Sequence, residues 1–218
     1  MLPHVFSVVD YGSLSLQISI YRLCKSSPQN YTLEAIAHEC TPNIAGHKMT
    51  EIVMEHFCQL PEVQNLLSLI EESDDEEERK EEHGEFMYKL HGFVEQMKQS
   101  LLQHDTVTKT VSVFHRHKAD ITLTSDLFTQ LFKRHHFDDS IRDTVHRCIR
   151  KASQKLKLQK LRLDSIQLTG GSSLMPLFQQ ALLDGFNAGF HLSLSLSSFA
   201  HCLFIRISSP HNIISSAR

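Results

Sequence analysis

Two glycine-containing turns are the parts of the sequence best suited to hold a phosphate. Asp10-Tyr11-Gly12-Ser13 joins two apolar stretches, and Thr169-Gly170-Gly171-Ser172-Ser173 lies between a short strand and a helix. Backbone N–H groups in such turns can point at an anion, and a glycine lets the anion approach the backbone closely. Taken alone, the first turn is more often a simple hairpin turn and the second more often a packing feature than a ligand site, so neither assigns a function by itself.

The periodicity of apolar residues predicts the elements that would position these turns. Alternation at period two predicts a strand over 14–21. Its core side is expected to carry Leu14, Leu16, Ile18 and Ile20. Further strands are predicted over 5–9, 31–40, 108–114, 119–124 and 165–168, and helices over 48–60, 86–102, 124–132, 139–156 and 175–183. This order of strands and helices predicts a mixed α/β fold.

Composition and charge restrict the classes of function. The 218-residue chain is 41% hydrophobic and 22% charged, which is typical of a folded globular protein. Its net charge of −3 gives no basic field, so neither nucleic acid nor a membrane is an expected partner. The start lacks the features of a signal peptide. The five cysteines lack CxxC spacing, which predicts reduced thiols in the cytoplasm or the nucleus rather than disulfides or a zinc site.

Two groups of charged or titratable residues leave alternatives open. Residues 71–82 are strongly acidic and are predicted to be a solvated loop or helix extension, with a docking site for a basic partner as the alternative. The pairs His115/His117 and His135/His136 lack acidic or cysteine partners at fixed spacing. They are therefore expected to be exposed turn residues, and no structural metal is expected.

Four segments of the chain form a larger pattern when they are taken in order. Residues 10–15 are Asp-Tyr-Gly-Ser-Leu-Ser, and residues 45–50 are Ala-Gly-His-Lys-Met-Thr. Residues 95–102 are Glu-Gln-Met-Lys-Gln-Ser-Leu-Leu, and residues 168–176 are Leu-Thr-Gly-Gly-Ser-Ser-Leu-Met-Pro. In this order they resemble the nucleotide-binding domain of the heat shock protein 70 (DnaK-like) family. Its corresponding segments are Asp-Leu-Gly-Gly-Gly-Thr, Gly-Gly-Glu-Asp-Phe-Asp, a helix whose Glu, Lys, Arg and Ser hold the adenosine, and Val-Gly-Gly-Ser-Thr-Arg-Ile-Pro.

The resemblance covers about residues 5–188 and implies an actin-like ATPase (ribonuclease H-like) lobe. This is an α/β fold, incomplete here, with an inserted α+β subdomain. It assigns the phosphate-loop strands of the second lobe to 1–46 and the inserted subdomain, with its acidic loop 71–82, to 47–138. Residues 139–190 would return to the lobe through a helix, a strand, the Gly-Gly turn and a helix. Residues 191–218 are an unrelated tail rich in Ser, Leu, Phe and Ile, to which no element is assigned.

The resemblance also implies ligands and partners. ATP or ADP with Mg²⁺ would be the ligand, and chaperone cofactors or nucleotide-exchange proteins would be the protein partners. The family's nucleotide contacts fall here on Asp10, Gly12, Ser13, Ser15, Gly46, Glu95, Lys98, Gly170, Gly171, Ser172 and Ser173. Valine in place of Gly171 is expected to disturb the strand-to-helix turn.

Several departures from the family pattern weaken the expected site. Ser13 and Leu14 replace glycines and add side chains where a phosphate would contact backbone. Gln99 and Leu174 replace arginines, which removes stacking on the adenine and fork-like hydrogen bonding. Leu102 replaces a serine. The affinity for nucleotide is therefore expected to be weak.

Three hypotheses of function follow. The first is a heat-shock-70-like chaperone fragment with a degenerate ATP/ADP-binding lobe. It is not expected to hydrolyse ATP alone, because the first lobe of this ATP-hydrolysing family is not among these residues and phosphoryl transfer depends on both lobes. The second is a non-enzymatic module that keeps the surface for chaperone cofactors. The third is a truncated product without stable function, which the change of composition after Phe190 suggests.

Overall fold

The computed structural model describes residues 4–27, 29–159, 161–187, 193–199 and 202–208. In chain order the elements are β1 (His4–Tyr11), β2 (Ser15–Lys25), β3 (Tyr31–Pro42), α1 (Gly46–Cys58), α2 (Pro61–Glu71), α3 (Glu76–Ser100), β4 (Thr106–Val113), β5 (His117–Thr124), α4 (Ser125–Arg134), α5 (Phe137–Leu156), β6 (Ser165–Thr169), a 3-10 turn (Gly171–Leu174), α6 (Pro176–Asn187), β7 (Ser193–Phe199) and β8 (Cys202–Ser208). The fold is mixed α/β, as the sequence predicts. The chain divides into unit 1, Met1–Gly46 with His136–Arg218, and unit 2, His47–His135.

A six-stranded sheet forms the centre of unit 1, in the order β3-β2-β1-β6-β8-β7. β1, β2 and β3 are antiparallel neighbours, which confirms the predicted hairpin between the first two strands. β6 pairs with β1 in parallel, and β8 pairs antiparallel with both β6 and β7. The parallel pair places the end of the first strand beside the end of a strand formed more than 150 positions later.

One face of this sheet carries the core of unit 1, because alternate residues of each strand point to the same side. The buried residues of β1 and β2 are Val5, Ser7, Val9, Tyr11, Leu16, Ile18 and Ile20. The inner face of α5, which packs against β2, β3 and α6, buries Phe137, Ile141, Thr144, Val145, Cys148 and Ala152. Leu14 was expected in this core and instead has 72% of its surface exposed. β2 begins only at Ser15, so Leu14 belongs to the turn and its side chain is not held to the strand's alternation.

Unit 2 combines the β4–β5 hairpin with three complete helices and most of α1. The strands predicted over 108–114 and 119–124 pair antiparallel, and they extend over Thr106–Val113 and His117–Thr124. The Thr124 hydroxyl accepts a hydrogen bond from the Leu127 N–H at 3.0 Å, so it caps α4 and confirms the predicted helix start. The buried face of α3 consists of Phe86, Leu90, Val94, Met97 and Lys98.

The acidic segment belongs largely to a helix. The helix predicted from residue 86 begins ten residues earlier, at Glu76, because the Asp75 side chain accepts hydrogen bonds from the N–H groups of Glu77 and Glu78. Carboxylates in the first turn also interact favourably with the helix dipole. α2, with Pro61 at its first position, was not predicted at all. No helix within the described ranges is both long and apolar enough to cross a bilayer.

Candidate functional site

Three loop segments of unit 1 meet at one edge of the sheet. β1 and β6 are adjacent and parallel, and Asp10 lies opposite Thr169 in their register, so both glycine turns leave the sheet at the same end. β3 ends there too, because Pro42 lies opposite Ser15 of β2. The segment that leads from β3 into α1 therefore joins the two turns, although the three are far apart in sequence.

The carbonyl oxygen of Gly12 is the point at which these segments are joined. It accepts the Gly46 N–H at 3.1 Å and the Ser172 hydroxyl at 3.1 Å. We call this arrangement of Gly12, Gly46 and Ser172 the Gly12 junction. The junction brings together one predicted site residue from each segment.

Close approach explains why glycine occupies position 46. A Cβ on Gly46 would overlap the Ser172 hydroxyl oxygen and would lie 3.4 Å from the Gly12 carbonyl oxygen. Any side chain at this position would therefore displace Ser172 from the junction.

Gly170, rather than Gly171, is the restrictive glycine of the second turn. Gly170 has a φ of +89°, and a Cβ there would lie 2.5 Å from the Tyr11 carbonyl oxygen and 2.7 Å from Oδ1 of Asp10. Gly171 is exposed, and no described atom lies within 4 Å of the Cβ that a larger residue would place there. The expectation that valine at Gly171 disturbs the turn is therefore not supported by the geometry, and the requirement belongs to its neighbour.

Tyr11 contacts two elements next to the Gly12 junction, a role that the sequence does not predict. Its hydroxyl donates a hydrogen bond to the Ile44 carbonyl oxygen at 2.6 Å, and its ring stacks on Phe178 of α6. The side chain is 1% exposed, and burial raises the pKa of its hydroxyl. The sequence does carry one signal of this role, because Tyr11 falls on the buried side of the alternation in β1.

Several hydrogen-bond donors at these turns are already bonded within the protein. The Gly12 N–H donates to the Ser15 carbonyl at 3.3 Å, and the Ser173 hydroxyl donates to the Gly170 carbonyl at 2.7 Å. The side chain of Ser173 is also buried, whereas Ser13 and Asp10 are exposed. A phosphate at this edge would thus compete with internal acceptors for several of the donors that the resemblance assigns to it.

The two remaining predicted residues, Glu95 and Lys98, lie in unit 2 and bind each other. Lys98 Nζ is 2.9 Å from Glu95 Oε1, and the hydroxyl of buried Thr50 donates to the same carboxylate oxygen. Burial lowers the pKa of Lys98, and the Glu95 carboxylate offsets part of this effect. Burial alone would raise the pKa of Glu95, but hydrogen bonds from Thr50 and Lys98 hold it below its usual value. Only 8% of Lys98 is exposed, and its ammonium group donates to the Glu95 carboxylate.

Three of the positions that depart from the family pattern are exposed apolar residues. Leu14, Leu102 and Leu174 have 72%, 42% and 45% of their surface exposed, respectively. Their side chains contribute no polar group to a ligand.

Among the described residues, no group of three or more His, Cys, Asp or Glu side chains is arranged to hold a metal ion. No protein-family model matches the chain.

Proposed function

We propose that the chain is a heat-shock-70-like chaperone fragment of the actin-like ATPase (ribonuclease H-like) fold. In this proposal unit 1 keeps a weak site for the phosphate groups of ATP or ADP. The Gly12 junction is the observation that carries the proposal. Three glycine-bearing segments meet where two adjacent parallel strands end. Ligands of open α/β sheets bind outside the carboxyl ends of the strands, so this edge is where a phosphate is expected.

The same geometry argues for weak binding without independent hydrolysis. Backbone and hydroxyl donors of Gly12, Gly46, Ser172 and Ser173 are bonded to protein carbonyls. A phosphate gains only the difference between its own hydrogen bonds and those it replaces. Asp10, which is exposed, stays a predicted nucleotide contact on the resemblance. Glu95 and Lys98 stay predicted adenosine contacts on the resemblance alone.

Calorimetric titration with ADP and ATP in the presence of Mg²⁺ tests the proposal. Gly171 offers a matched pair of variants, because its exposed Cβ position accepts a side chain without contact. Gly171→Glu places a negative charge beside the bound phosphate and should abolish binding, whereas Gly171→Gln, of the same size, should weaken it less. The absence of saturable heat with the unmodified chain would refute the proposal. Equal affinities of the two variants would place the nucleotide elsewhere and would refute it as well.

A non-enzymatic interaction module is the second candidate. The hydrogen bonds that join the three turns to one another favour it. Unit 1 joins its three turns through protein groups alone, so a surface built on them does not depend on nucleotide. Chaperone cofactors or nucleotide-exchange proteins would be the partners. A cooperative thermal melt that ADP and ATP leave unchanged, together with no heat of binding, would favour this candidate over the first.

A further inference from the structure

We infer that the Ser172 hydroxyl competes with phosphate for its own site: it fills the space beside Gly12 and Gly46 and has to rotate away before a phosphate can enter. This inference rests on the proposed function, because it concerns the same three turns. It adds a contact within the protein that regulates access to them.

The position of the hydroxyl is the first step of the argument. Ser172 Oγ lies 3.1 Å from the Gly12 carbonyl oxygen, on the side of Gly46 from which a Cβ would project. Ser172 Oγ therefore fills the space that the missing side chain of Gly46 leaves beside the backbone. The approach to the Gly46 backbone is occupied by a side chain of the third turn.

The charge at the junction is the second step. The Gly12 carbonyl oxygen carries negative partial charge, and two donors cover it, the Gly46 N–H and the Ser172 hydroxyl. A phosphate that approaches Gly46 meets the Ser172 hydroxyl, and this carbonyl already accepts both donors of the junction. Entry of a phosphate therefore breaks the hydrogen bond between the Ser172 hydroxyl and the Gly12 carbonyl oxygen. The binding free energy of the phosphate is less favourable by about the free energy of that one hydrogen bond.

Removal of the hydroxyl should accordingly strengthen binding. Ser172→Ala takes away both the side-chain atom in the approach and the bond that has to break, and we expect affinity for ADP and for inorganic phosphate to rise about fivefold. The Gly46 amide should also exchange its hydrogen with solvent about fivefold faster, because its acceptor is less firmly held.

Ser7→Ala is the matched control. Ser7 is another serine of unit 1 whose hydroxyl donates to a backbone carbonyl, that of Ser19 at 3.2 Å, but Ser7 is buried inside the sheet. Its loss should leave both the affinity for ADP and the relative exchange rate of the Gly46 amide unchanged.

Calorimetry with ADP and with inorganic phosphate, together with amide exchange by NMR, decides the matter. Tighter binding by Ser172→Ala than by the unmodified chain, together with faster exchange at Gly46, supports the inference. Binding by the unmodified chain that is unchanged or weakened in Ser172→Ala overturns the inference and leaves the proposed function intact, with Ser172 acting as a phosphate donor if binding weakens. No binding by either protein overturns the proposed function and the inference together.

Discussion

Tyr11 and Phe178 stack face to face, with ring centroids 4.0 Å apart and ring planes 7° from parallel. The Tyr11 hydroxyl also donates to the Ile44 carbonyl oxygen at 2.6 Å. One side chain thus joins the end of β1 to α6 through its ring and to the segment before α1 through its hydroxyl. The three loops of the Gly12 junction are held by this contact as well as by their own hydrogen bonds.

Tyr11→Phe should therefore cost about 1–2 kcal/mol of unfolding free energy, because it keeps the stacked ring but leaves the Ile44 carbonyl without its donor. Phe178→Ala, which empties a fully buried aromatic position, should cost about 3–5 kcal/mol. Urea unfolding followed by circular dichroism measures both values. Tyr88→Phe is the control, because Tyr88 is 82% exposed and its hydroxyl should contribute nothing measurable. If Tyr11→Phe leaves the unfolding free energy unchanged, the hydroxyl does not stabilise the loop that contains Ile44.

The sequence predicted the parts of the structure that depend on local patterns. Alternation predicted the hairpin of β1 and β2, and the Thr124 cap predicted the start of α4. The same alternation occurs in the tail, where Leu194 and Leu196 alternate with serines. No strand is predicted there, yet β7 and β8 extend the sheet. The miss at α2 has another cause, since a proline at the first position of a helix looks like a break from the sequence alone.

The junction itself could not be derived from local patterns. Ser172 and Gly12 are 160 positions apart, and only the parallel pairing of β1 with β6 brings them together. Residue spacing does not reveal which distant strands will pair, so the glycines were recognised but their shared acceptor was not. For the same reason the sequence predicts that Gly171 is the glycine at which a side chain disturbs the turn. The structure indicates Gly170 instead, because Gly170 has a positive φ and lies close to the Tyr11 carbonyl.

Gly46 and Ser172 should be energetically coupled. Gly46→Ala forces its new methyl against the Ser172 hydroxyl and should cost about 2 kcal/mol, despite alanine's better helix propensity at the start of α1. In the double variant with Ser172→Gly the clash is absent, so the combined cost should be smaller than the sum of the two single costs. Urea unfolding of the four proteins in a double-mutant cycle measures this coupling. Strictly additive costs would show that the two residues do not contact each other.

The two neighbouring glycines of the second turn should differ in how much stability they lose on substitution by alanine. Gly170→Ala requires a positive φ for a residue with a Cβ and presses that Cβ on the Tyr11 carbonyl, so we expect a loss of about 3 kcal/mol. Gly171→Ala should stay within about 0.5 kcal/mol of the unmodified chain, because its Cβ meets no described atom. Thermal melts of the pair at equal concentration give the comparison. Similar losses at both positions would contradict the geometry of the turn.

The ion pairs of Glu39 should make unit 1 sensitive to acid. Glu39 is 9% exposed; Lys151 contacts its Oε1, and Arg147 Nε lies 3.3 Å from its Oε2. Burial alone would raise the pKa of Glu39, but these two cations outweigh burial and hold the pKa below its ordinary value of 4.5. Because the carboxylate binds protons more weakly when folded, its contribution is complete above pH 4.5 and is lost as the pH falls through the folded pKa.

Glu39→Gln should therefore lower the unfolding free energy by about 1–2 kcal/mol at pH 7, a value reduced by the solvent exposure of Lys151 and Arg147. The difference from the unmodified chain should shrink steadily below pH 4.5, since protonation removes the same charge from the natural residue. Urea unfolding across this range measures it. Asp143→Asn, the same chemical change at an exposed position of α5, is the control and should show no comparable difference at pH 7. A Glu39→Gln deficit that is independent of pH would show that lost packing, rather than the ion pairs, causes it.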